Sequence, residues 1–443
     1  MKSKIFHLKR QTIAQNFVLG VDPGKEKHSG VVLDPSGLQQ GGAFSFPVTR
    51  AGYDHTLWQH LERRVKDSGP DLMVVAIETS CNLWVTLAHY FHGKGYRVLL
   101  VSPLTTRHAR PMMHRDFSRT DPRDAFLVAD SAQKGSYDLF RTFEPHLEAA
   151  HELSIAYDKL RKDVTQHLLR TRSLMERVFP EFLHAFNIHT KTSLYLLERS
   201  FLPRHFKDID IEEEGRQIHR ISRGSYGVPT LEKLKAWART SIGIPVEGQE
   251  DAFRIILDGW IEALRQAEAQ LKTVKLAMIA RTQEDPTFQI VDSIPNINKN
   301  LAAQFTAETR GATRFTHFKQ IEKLAGTNVR IADSGKYKGK RRMSKIGNPR
   351  LRRIIYQMTV QTARVVPQVR RRFLKRELTK KCYRKNIVAA SSQLLRLVVA
   401  LLKENRLYEE RADPAASLET LERRYNKRYK KKQHSRRRVR AAA

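Results

Sequence analysis

Two short apolar runs near the N-terminus each end in an acidic residue, and this pairing restricts the fold more than any other feature of the chain. Asp22 follows the run Phe17–Val21, and Glu78 follows the run Met73–Ile77. Short apolar runs of this kind predict buried strands. Because a carboxylate at the end of a buried strand is unfavourable unless a positive charge pairs with it, the pattern predicts a sheet with a charged site at its strand ends.

Strand and helix patterns alternate from residue 17 to about residue 140. Three early strands, two of them linked as a hairpin through the turn Asp34–Gly37, precede a strand–helix–strand unit that ends near Val101. This order predicts a mixed α/β sheet.

Two further acids, Asp121 and Asp124, stand at the start of a predicted helix. Their spacing of three residues places them on one helix face. Each can instead be a turn or N-cap residue, and Pro122 strengthens that alternative for Asp121. Carboxylates that converge from three segments suggest metal ions, because Mg²⁺ prefers oxygen ligands and two ions roughly 4 Å apart can stabilise both oxygens of a phosphodiester displacement.

The charge of the chain points to a polyanionic partner. Its 443 residues include 80 Lys and Arg against 46 Asp and Glu, which gives a net charge of +34. A positive field attracts phosphate and releases counterions on binding. No apolar run approaches the roughly 18 residues of a spanning helix, and two cysteines, Cys81 and Cys382, exclude a disulfide framework. We therefore expect a soluble, cytoplasmic, nucleoid-associated protein without a membrane partner.

The pattern changes to long helices after residue 148. Apolar residues recur at three- and four-residue spacings across 148–180 and again across 251–278. These spacings predict two long amphipathic helices, arranged either as an antiparallel arm or coiled coil or as an ordinary helical bundle. The stretch 181–250 between them carries no pattern that indicates a function.

A loop rich in Gly, Lys and Arg spans residues 333–350. Its glycines let the backbone approach phosphate, and its cations balance phosphate charge. Ser334 can serve as a nucleophile if a base or a metal activates it, and Ser344 is a second candidate. The alternative is a phosphate-binding loop without chemistry, which composition alone favours.

Cations in and after this loop are predicted to contact nucleic acid. They are Lys336, Lys338, Lys340, Arg341, Arg342, Lys345, Arg350, Arg352 and Arg353. The tail beyond residue 413 is also strongly basic, and such a block is expected to be disordered without an anionic partner.

Together these motifs resemble the DEDD transposases of bacterial insertion sequences, a family of bridge-RNA-guided recombinases. The matching segments are Val21–His28, Ile77–Ser80, Arg119–Ala125, Ser293–Pro295, Ser334–Gly335 and Ser344–Arg353. The resemblance implies a RuvC-like, ribonuclease H-fold α/β domain over 1–147 and a helical coiled-coil arm over 148–283. It further implies a mainly α transposase domain with a serine loop over 284–412, followed by the basic tail over 413–443.

By the same resemblance, four carboxylates would bind Mg²⁺, expected as two ions, and Ser334 would attack the scissile phosphate. The four are Asp22, Glu78, Asp121 and Asp124. A phosphoserine link would then conserve bond energy for strand exchange. The implied partners are donor and target DNA, a structured noncoding guide RNA, and further copies of the chain in a dimer to tetramer.

Two alternatives remain open at this stage. One is a junction-resolving or hydrolytic nuclease that uses the carboxylates and water. The other is a non-catalytic nucleic-acid scaffold, in which the carboxylates are turn and cap residues. The chain also departs from the family, which commonly has Ser-Ile-Pro-Gly-Ile-Gly where this sequence has Ser293–Asn298 without glycine. Because Asn tolerates positive φ better than most residues, we expect this turn to be kept.

Overall fold

A computed structural model describes residues 2–113, 120–331, 333–334, 337–339, 341–379, 382–410 and 418–429. The chain forms two compact units, Met1–Thr142 and Phe143–Ala443. The boundary between them falls at residue 142, slightly before the predicted domain boundary at 147.

The first unit is a mixed α/β fold, as predicted from the strand and helix patterns. Its strands are β1 Phe17–Asp22, β2 Lys27–Leu33, β3 Phe44–Pro47, β4 Met73–Glu78, β5 Arg97–Val101 and β6 Asp138–Leu139. Its α-helices are α1 Lys2–Thr12, α2 Leu57–Glu62, α3 Val85–Gly93, α4 Pro103–Met113 and α5 Asp121–Gln133. A π-helical turn, Gly52–Thr56, leads into α2.

The register of the sheet brings two predicted acids together. The six strands lie in the order β3-β2-β1-β4-β5-β6. Strand β1 is antiparallel to β2 and parallel to β4, and β4 is parallel to β5. Val21 pairs with Ile77, so the next residues, Asp22 and Glu78, end neighbouring strands at the same level. Since adjacent strands lie about 4.8 Å apart, the two acids are close neighbours.

Small residues let α5 lie close to the middle of this sheet. A Cβ atom placed on Gly20 of β1 would lie 2.4 Å from the carbonyl oxygen of Ala125 and 2.7 Å from the Cβ of Ala129. Val18, two residues before Gly20, is fully buried in the same layer. The close approach fixes where the first turn of α5 stands relative to the ends of β1 and β4.

We expect Gly20→Val to lower the free energy of unfolding by about 3 kcal/mol, because the added side chain collides with backbone and overpacking is relieved only by moving α5. Urea denaturation measures the change. Gly42→Val is the matched control, since a Cβ at Gly42 has no atom within 4 Å. Equal losses in the two variants would contradict the close packing of α5 on β1.

The second unit is mostly helical, as expected. Its helices are α6 Pro145–Val178, α7 Phe182–Ala185, α8 Lys191–Arg199, α9 Pro203–Lys207, α10 Ile211–Ser222, α11 Val228–Arg239, α12 Glu250–Thr282, α13 Pro286–Asp292, α14 Lys299–Thr309, α15 Phe318–Ala325, α16 Pro349–Thr362, α17 Pro367–Thr379 and α18 Tyr383–Glu404. Four two-residue strands, β7 Val329–Arg330, β8 Asp333–Ser334, β9 Tyr337–Lys338 and β10 Arg342–Met343, lie between α15 and α16.

The two longest helices, α6 and α12, pack against each other in opposite directions. Arg177 near the end of α6 lies over the ring of Phe253 near the start of α12, whereas Ala150 near the start of α6 shares a core cluster with Met278 near the end of α12. Helices α7–α11 fill the intervening stretch and bury a core of their own around Phe206. The region for which the sequence indicated no function is therefore a compact helical subdomain at one end of the helix pair.

Helices α13–α18 surround the remaining core of the second unit. Helix α18 alone among the described helices is long and apolar enough to span a membrane, but 56% of its most apolar window is buried inside the protein. It is therefore a core helix of this fold.

Part of the basic tail, which was expected to be disordered without an anionic partner, is helical in the structure. Residues 418–429 form a helix. Leu418, Leu421 and Tyr425, at three- and four-residue spacings, pack against the core, and Glu422 pairs with Arg370 of α17. The segment packs because its apolar residues form one helix face. The prediction of disorder rested on the number of charges and did not consider this spacing.

Candidate active site

The predicted carboxylates of the first unit lie at one end of one sheet face. Side chains alternate along a strand, so Asp22 points to the same face as Val18, which packs beneath α5, and Glu78 occupies the same level of the neighbouring strand. The first turn of α5 carries Asp121 and Asp124. Three separate segments therefore supply acids to one region, as the sequence predicted.

The electrostatics of Asp22 show that the acids influence one another. Burial raises the pKa of Asp22, and the charges of Glu78, Asp124 and Asp121 raise it further, to about 7, against an opposing effect of Arg110. Like charges shift a pKa in this direction only when they are close, typically within several ångströms. The region is therefore a cluster of acids inside a strongly basic chain.

Two of the acids have partners on α4 or beside β4. Glu78 is only 8% exposed and accepts hydrogen bonds from Ser80 Oγ at 2.9 Å and from Thr106 Oγ1 at 3.3 Å. Asp124 Oδ1 accepts from Arg110 Nη2 at 2.5 Å and from Arg110 Nε at 3.1 Å. These contacts hold Glu78 in place and neutralise part of the charge of Asp124.

Sequence reasoning missed Thr106 and Arg110. They lie four residues apart on α4, so they share the helix face that meets the acids. That spacing, together with the helix following directly on β5, was the available sign.

Within the described ranges, no three Asp, Glu, His or Cys side chains are arranged to hold one metal ion in their present conformations. Asp124 is turned instead toward Arg110. The chemistry of the set nevertheless fits a hard divalent cation, because the donors are carboxylate oxygens. The raised pKa of Asp22 reflects burial first and repulsion by neighbouring acids second, and a cation would relieve that repulsion. The positive end of α5 adds a favourable field for its first-turn acids.

Ser334 lies in a short hairpin of the second unit. Its backbone pairs with Tyr337 across β8 and β9, and β7 pairs with β10 below, through Arg330 and Arg342. The predicted nucleic-acid contacts Lys336 and Lys340 lie outside the described residues, as do the side chains of Ser334 and Lys338. We call these four short strands, β7–β10, the serine hairpin.

The second candidate nucleophile, Ser344, is held in structural contacts. Its Oγ donates to Asn328 Oδ1 at 2.7 Å and lies 3.2 Å from the carbonyl oxygen of Gly326. The Ser344 amide also donates to the carbonyl of Asn328 at 2.8 Å. A hydroxyl with these partners fastens the end of the serine hairpin to the end of α15, which argues against Ser344 as the nucleophile.

The predicted nucleic-acid contacts separate into two groups. Arg341, Arg342 and Lys345 are exposed, although Arg341 Nη2 also lies 2.7 Å from Asp333 Oδ2. The other three, Arg350, Arg352 and Arg353, are half-buried and bonded within the fold.

Each half-buried arginine has a defined structural partner. Arg352 Nη1 donates to the carbonyl of Ala325 at 2.9 Å, and Arg353 Nη2 donates to Gln304 Oε1 at 2.9 Å. These guanidinium groups support the start of α16, which gives both arginines a structural role.

Arg350 meets a buried acid, Glu308, that sequence reasoning did not single out. The Glu308 carboxylate accepts from Arg350 Nε at 2.6 Å, from Asn348 Nδ2 at 2.5 Å and from Ser154 Oγ at 2.7 Å. Burial acts to raise the pKa of Glu308, but these hydrogen bonds outweigh it and leave the pKa below its ordinary value. The overlooked sign was an acid that follows the uncharged run Asn300–Ala307 in α14.

We expect Glu308→Gln to lower the free energy of unfolding at pH 7 by about 2 kcal/mol, because the buried network loses its negative charge while the half-buried Arg350 keeps its positive charge. The folded-state pKa is depressed, so this stabilisation is present above the ordinary value of 4.5 and is lost as the pH falls through the folded-state value. The difference between wild type and variant should therefore shrink from pH 7 to pH 3 in urea titrations. Glu419→Gln, at a largely exposed side chain, is the control and should show no difference at either pH.

The turn between α13 and α14 survives without glycine, as predicted. Asn296 adopts a φ of 64°, in the left-handed region. Asn298 then caps α14 by accepting from the amide of Leu301 at 2.9 Å. Asn296 thus supplies the left-handed backbone conformation of the turn, and Asn298 supplies the N-cap of α14.

Comparisons with known proteins agree with this layout. A family model described as a transposase, of the DEDD type associated with IS110, matches residues 19–180, and a model described as the transposase IS116/IS110/IS902 family matches residues 288–374. A relative from Streptomyces coelicolor, called "Insertion element IS110 uncharacterized 43.6 kDa protein", is 21% identical over 417 residues, covering 90% of this chain and 97% of the relative. The first match contains the four clustered acids and the second contains the serine hairpin.

Proposed function

Because the chain belongs to the DEDD transposase family of insertion sequences and is a DNA transposase or recombinase, we propose that it cuts and rejoins DNA through a phosphoserine intermediate at Ser334. The observation that carries the proposal is the convergence of four carboxylates at one sheet end, where burial and then the charges of the other three acids raise the pKa of Asp22 to about 7. A buried acid whose pKa is raised further by neighbouring acids is a common mark of a functional site.

The fold supports a finer assignment within this proposal. Three antiparallel strands followed by two parallel ones, with α5 covering the strand ends, agree with a ribonuclease H-like, RuvC-like domain. The opposed pairing of α6 and α12 agrees with a coiled-coil arm.

Asp22, Glu78, Asp121 and Asp124 would hold Mg²⁺, two ions by analogy with the family. Bound there, the cation would supply positive charge to a phosphodiester and its oxygens. The chain's own groups prepare this site: Thr106 orients Glu78, and Arg110 holds Asp124.

Ser334 would carry the covalent step. Its hydroxyl oxygen bonds to phosphorus and gives up its proton, while the bond from phosphorus to the departing deoxyribose oxygen breaks and that oxygen is protonated. A strand hydroxyl then attacks the phosphoserine and restores both the serine hydroxyl and a phosphodiester. Each bond broken is replaced by one of the same kind, so rejoining needs no energy source.

The partners in this proposal are donor and target DNA, a structured noncoding guide RNA and further copies of the chain, at the nucleoid in the cytoplasm. A net charge of +34 and the exposed Arg342 and Lys345 beside the serine hairpin support polyanion binding. Sequencing the RNA that copurifies with the protein would identify guide and target together.

A hydrolytic nuclease is the second candidate, because the acid cluster lies in the first unit and Ser334 in the second, so the acids could act with water alone. The deciding experiment incubates the protein, its copurified RNA, Mg²⁺ and labelled DNA, and then seeks DNA that stays on the protein in detergent. Covalent DNA supports the recombinase. Cleavage without covalent DNA supports the hydrolytic nuclease. Binding without cleavage supports a non-catalytic nucleic-acid scaffold.

A further inference from the structure

A cavity of about 250 Å³ opens beside the root of the serine hairpin. Its walls come from three places in the second unit: the ends of the hairpin, helix α16 and helix α18. They include Thr327, Met343, Pro349, Tyr356, Val388 and Ser391. None of the roles described so far uses this space.

The size and walls of the cavity suit one flat heterocycle. Its volume is far above the roughly 30 Å³ that one water occupies and below the roughly 300 Å³ at which pockets for drug-sized ligands begin. Met343 and Val388 supply apolar surface, Tyr356 supplies an aromatic ring, and the hydroxyl of Thr327 supplies a polar group. An unstacked nucleobase has this character, with apolar faces and a hydrogen-bonding edge.

The surroundings favour a base attached to a polyanionic backbone. Arg352 and Arg353 also line the cavity, and the exposed Arg342 stands next to Met343 on the hairpin. A free apolar ligand would gain nothing from these charges, whereas the phosphates on either side of an inserted base would.

The cavity is also within reach of the proposed nucleophile. Met343 pairs with Val329, and Ser334 lies five residues beyond Val329, a distance of at most about 18 Å along the chain. Successive bases in one strand of a duplex rise about 3.4 Å. If a phosphate of a DNA strand contacts Ser334, a base no more than about five nucleotides away in that strand can therefore reach this cavity.

We propose that this cavity binds one unstacked base of the DNA strand on which Ser334 acts. The placement of that base near the cut depends on the proposed function, but base binding itself does not. A strand must be unpaired during exchange, and a pocket for one of its bases would hold it open beside the serine hairpin.

The test compares two single-stranded 12-mers of equal charge on the full-length protein, oligothymidine and an oligomer of abasic tetrahydrofuran residues. Base stacking predicts that wild type binds oligothymidine about tenfold more tightly. Val388→Trp fills the cavity and should remove most of this preference while leaving affinity for the abasic strand unchanged. Val365→Trp, at an exposed site outside the cavity walls, is the matched control and should retain the preference.

Tyr356→Ala is the second variant, and it empties the cavity of its aromatic wall without adding bulk. It should reduce the preference as well, so a folding failure of Val388→Trp does not decide the matter. A preference unchanged in both variants would refute the proposal.

Photocrosslinking locates the base directly. With 5-iododeoxyuridine in the 12-mer, near-ultraviolet irradiation and peptide mass spectrometry should report adducts at Tyr356 in addition to any at the exposed Tyr383 and Tyr429. Adducts on the two exposed tyrosines alone would exclude the cavity. The contrary outcome is that oligouridine displaces the DNA 12-mer and crosslinks to Tyr356 more strongly than that 12-mer does. This result would assign the cavity to RNA and overturn the DNA proposal.

The same crosslink separates the two proposals. It should persist in Ser334→Ala, because binding a base needs no nucleophile. A Tyr356 adduct in a protein that never forms covalent DNA would refute the role of Ser334 and keep the base site, whereas covalent DNA without a Tyr356 adduct would refute the base site alone.

Discussion

Ser334→Ala is expected to abolish the covalent protein–DNA product and to reduce strand cleavage at least about 10⁴-fold, since removing the nucleophile of a covalent mechanism removes its pathway. DNA labelled at either end and analysed in denaturing gels measures both quantities. The fold should be unaffected, because Ser334 lies in a short two-stranded hairpin outside the helices of the second unit.

Ser344→Ala is the matched control. It removes a hydroxyl that is bonded to Asn328 and Gly326, so we expect a loss of about 1 kcal/mol in unfolding free energy and retention of the covalent product. Covalent DNA on Ser334→Ala, or its loss from Ser344→Ala at unchanged fold, would reverse the assignment of the two serines. Full cleavage by Ser334→Ala would indicate the hydrolytic nuclease.

Asp22→Asn is expected to reduce cleavage at least about 10³-fold and yet to stabilise the protein when no divalent cation is added. A carboxylate ligand at the centre of the cluster is lost, and metal-assisted chemistry depends on such charges. The gain in stability comes from removing the charge that burial and neighbouring acids disfavour.

The sign of this second effect depends on pH. The folded-state pKa of Asp22 is raised to about 7, so the folded protein holds this proton more tightly than the unfolded chain does. Its contribution to stability is present below pH 4 and is lost as the pH rises through about 7. For a fully buried group, a pKa shift of that size would lower the free energy of unfolding by roughly 4 kcal/mol. Solvent screening at the half-buried Asp22 reduces this loss, so we expect Asn to restore about 2 kcal/mol at pH 8.

Thermal unfolding at pH 5 and pH 8, with and without Mg²⁺, checks this prediction. At pH 8 without Mg²⁺, the unfolding temperature of Asp22→Asn should be higher than that of wild type. Added Mg²⁺ should raise the unfolding temperature of the variant less than that of wild type. Asp138→Asn, at a carboxylate whose side chain is 85% exposed, should behave as wild type throughout. A variant less stable than wild type at pH 8 would mean that the acids do not repel one another at this site.

The part of the site that follows from local pattern was predictable. Asp22 and Glu78 could be placed because each directly follows an apolar strand, and neighbouring parallel strands end at the same edge. Asp121 and Asp124 could be placed on one helix face from their spacing. The position of that helix over the sheet depends on Gly20, whose importance becomes visible only when α5 packs against it.

Partners chosen by tertiary packing were not predictable from pattern. The spacing of Thr106 and Arg110 places them on one helix face, but it does not show that α4 brings that face to the acids. Arg352 and Arg353 were expected to contact nucleic acid from their charge, yet they also bond to groups distant in the sequence. Charge at a position is a local property, whereas the partner that satisfies the charge is a property of the whole fold.

The Glu308 network has a mechanical consequence. One buried carboxylate is bonded to Ser154 on the longest helix, α6, and also to Asn348 and Arg350, where the chain leaves the serine hairpin. If α6 slid relative to Glu308, the short hydrogen bonds of this buried carboxylate would break. Movements of α6 and of the segment that follows the serine hairpin are therefore coupled. A partner that binds the far end of the helix pair is therefore connected, through Glu308, to the segment where the chain enters α16.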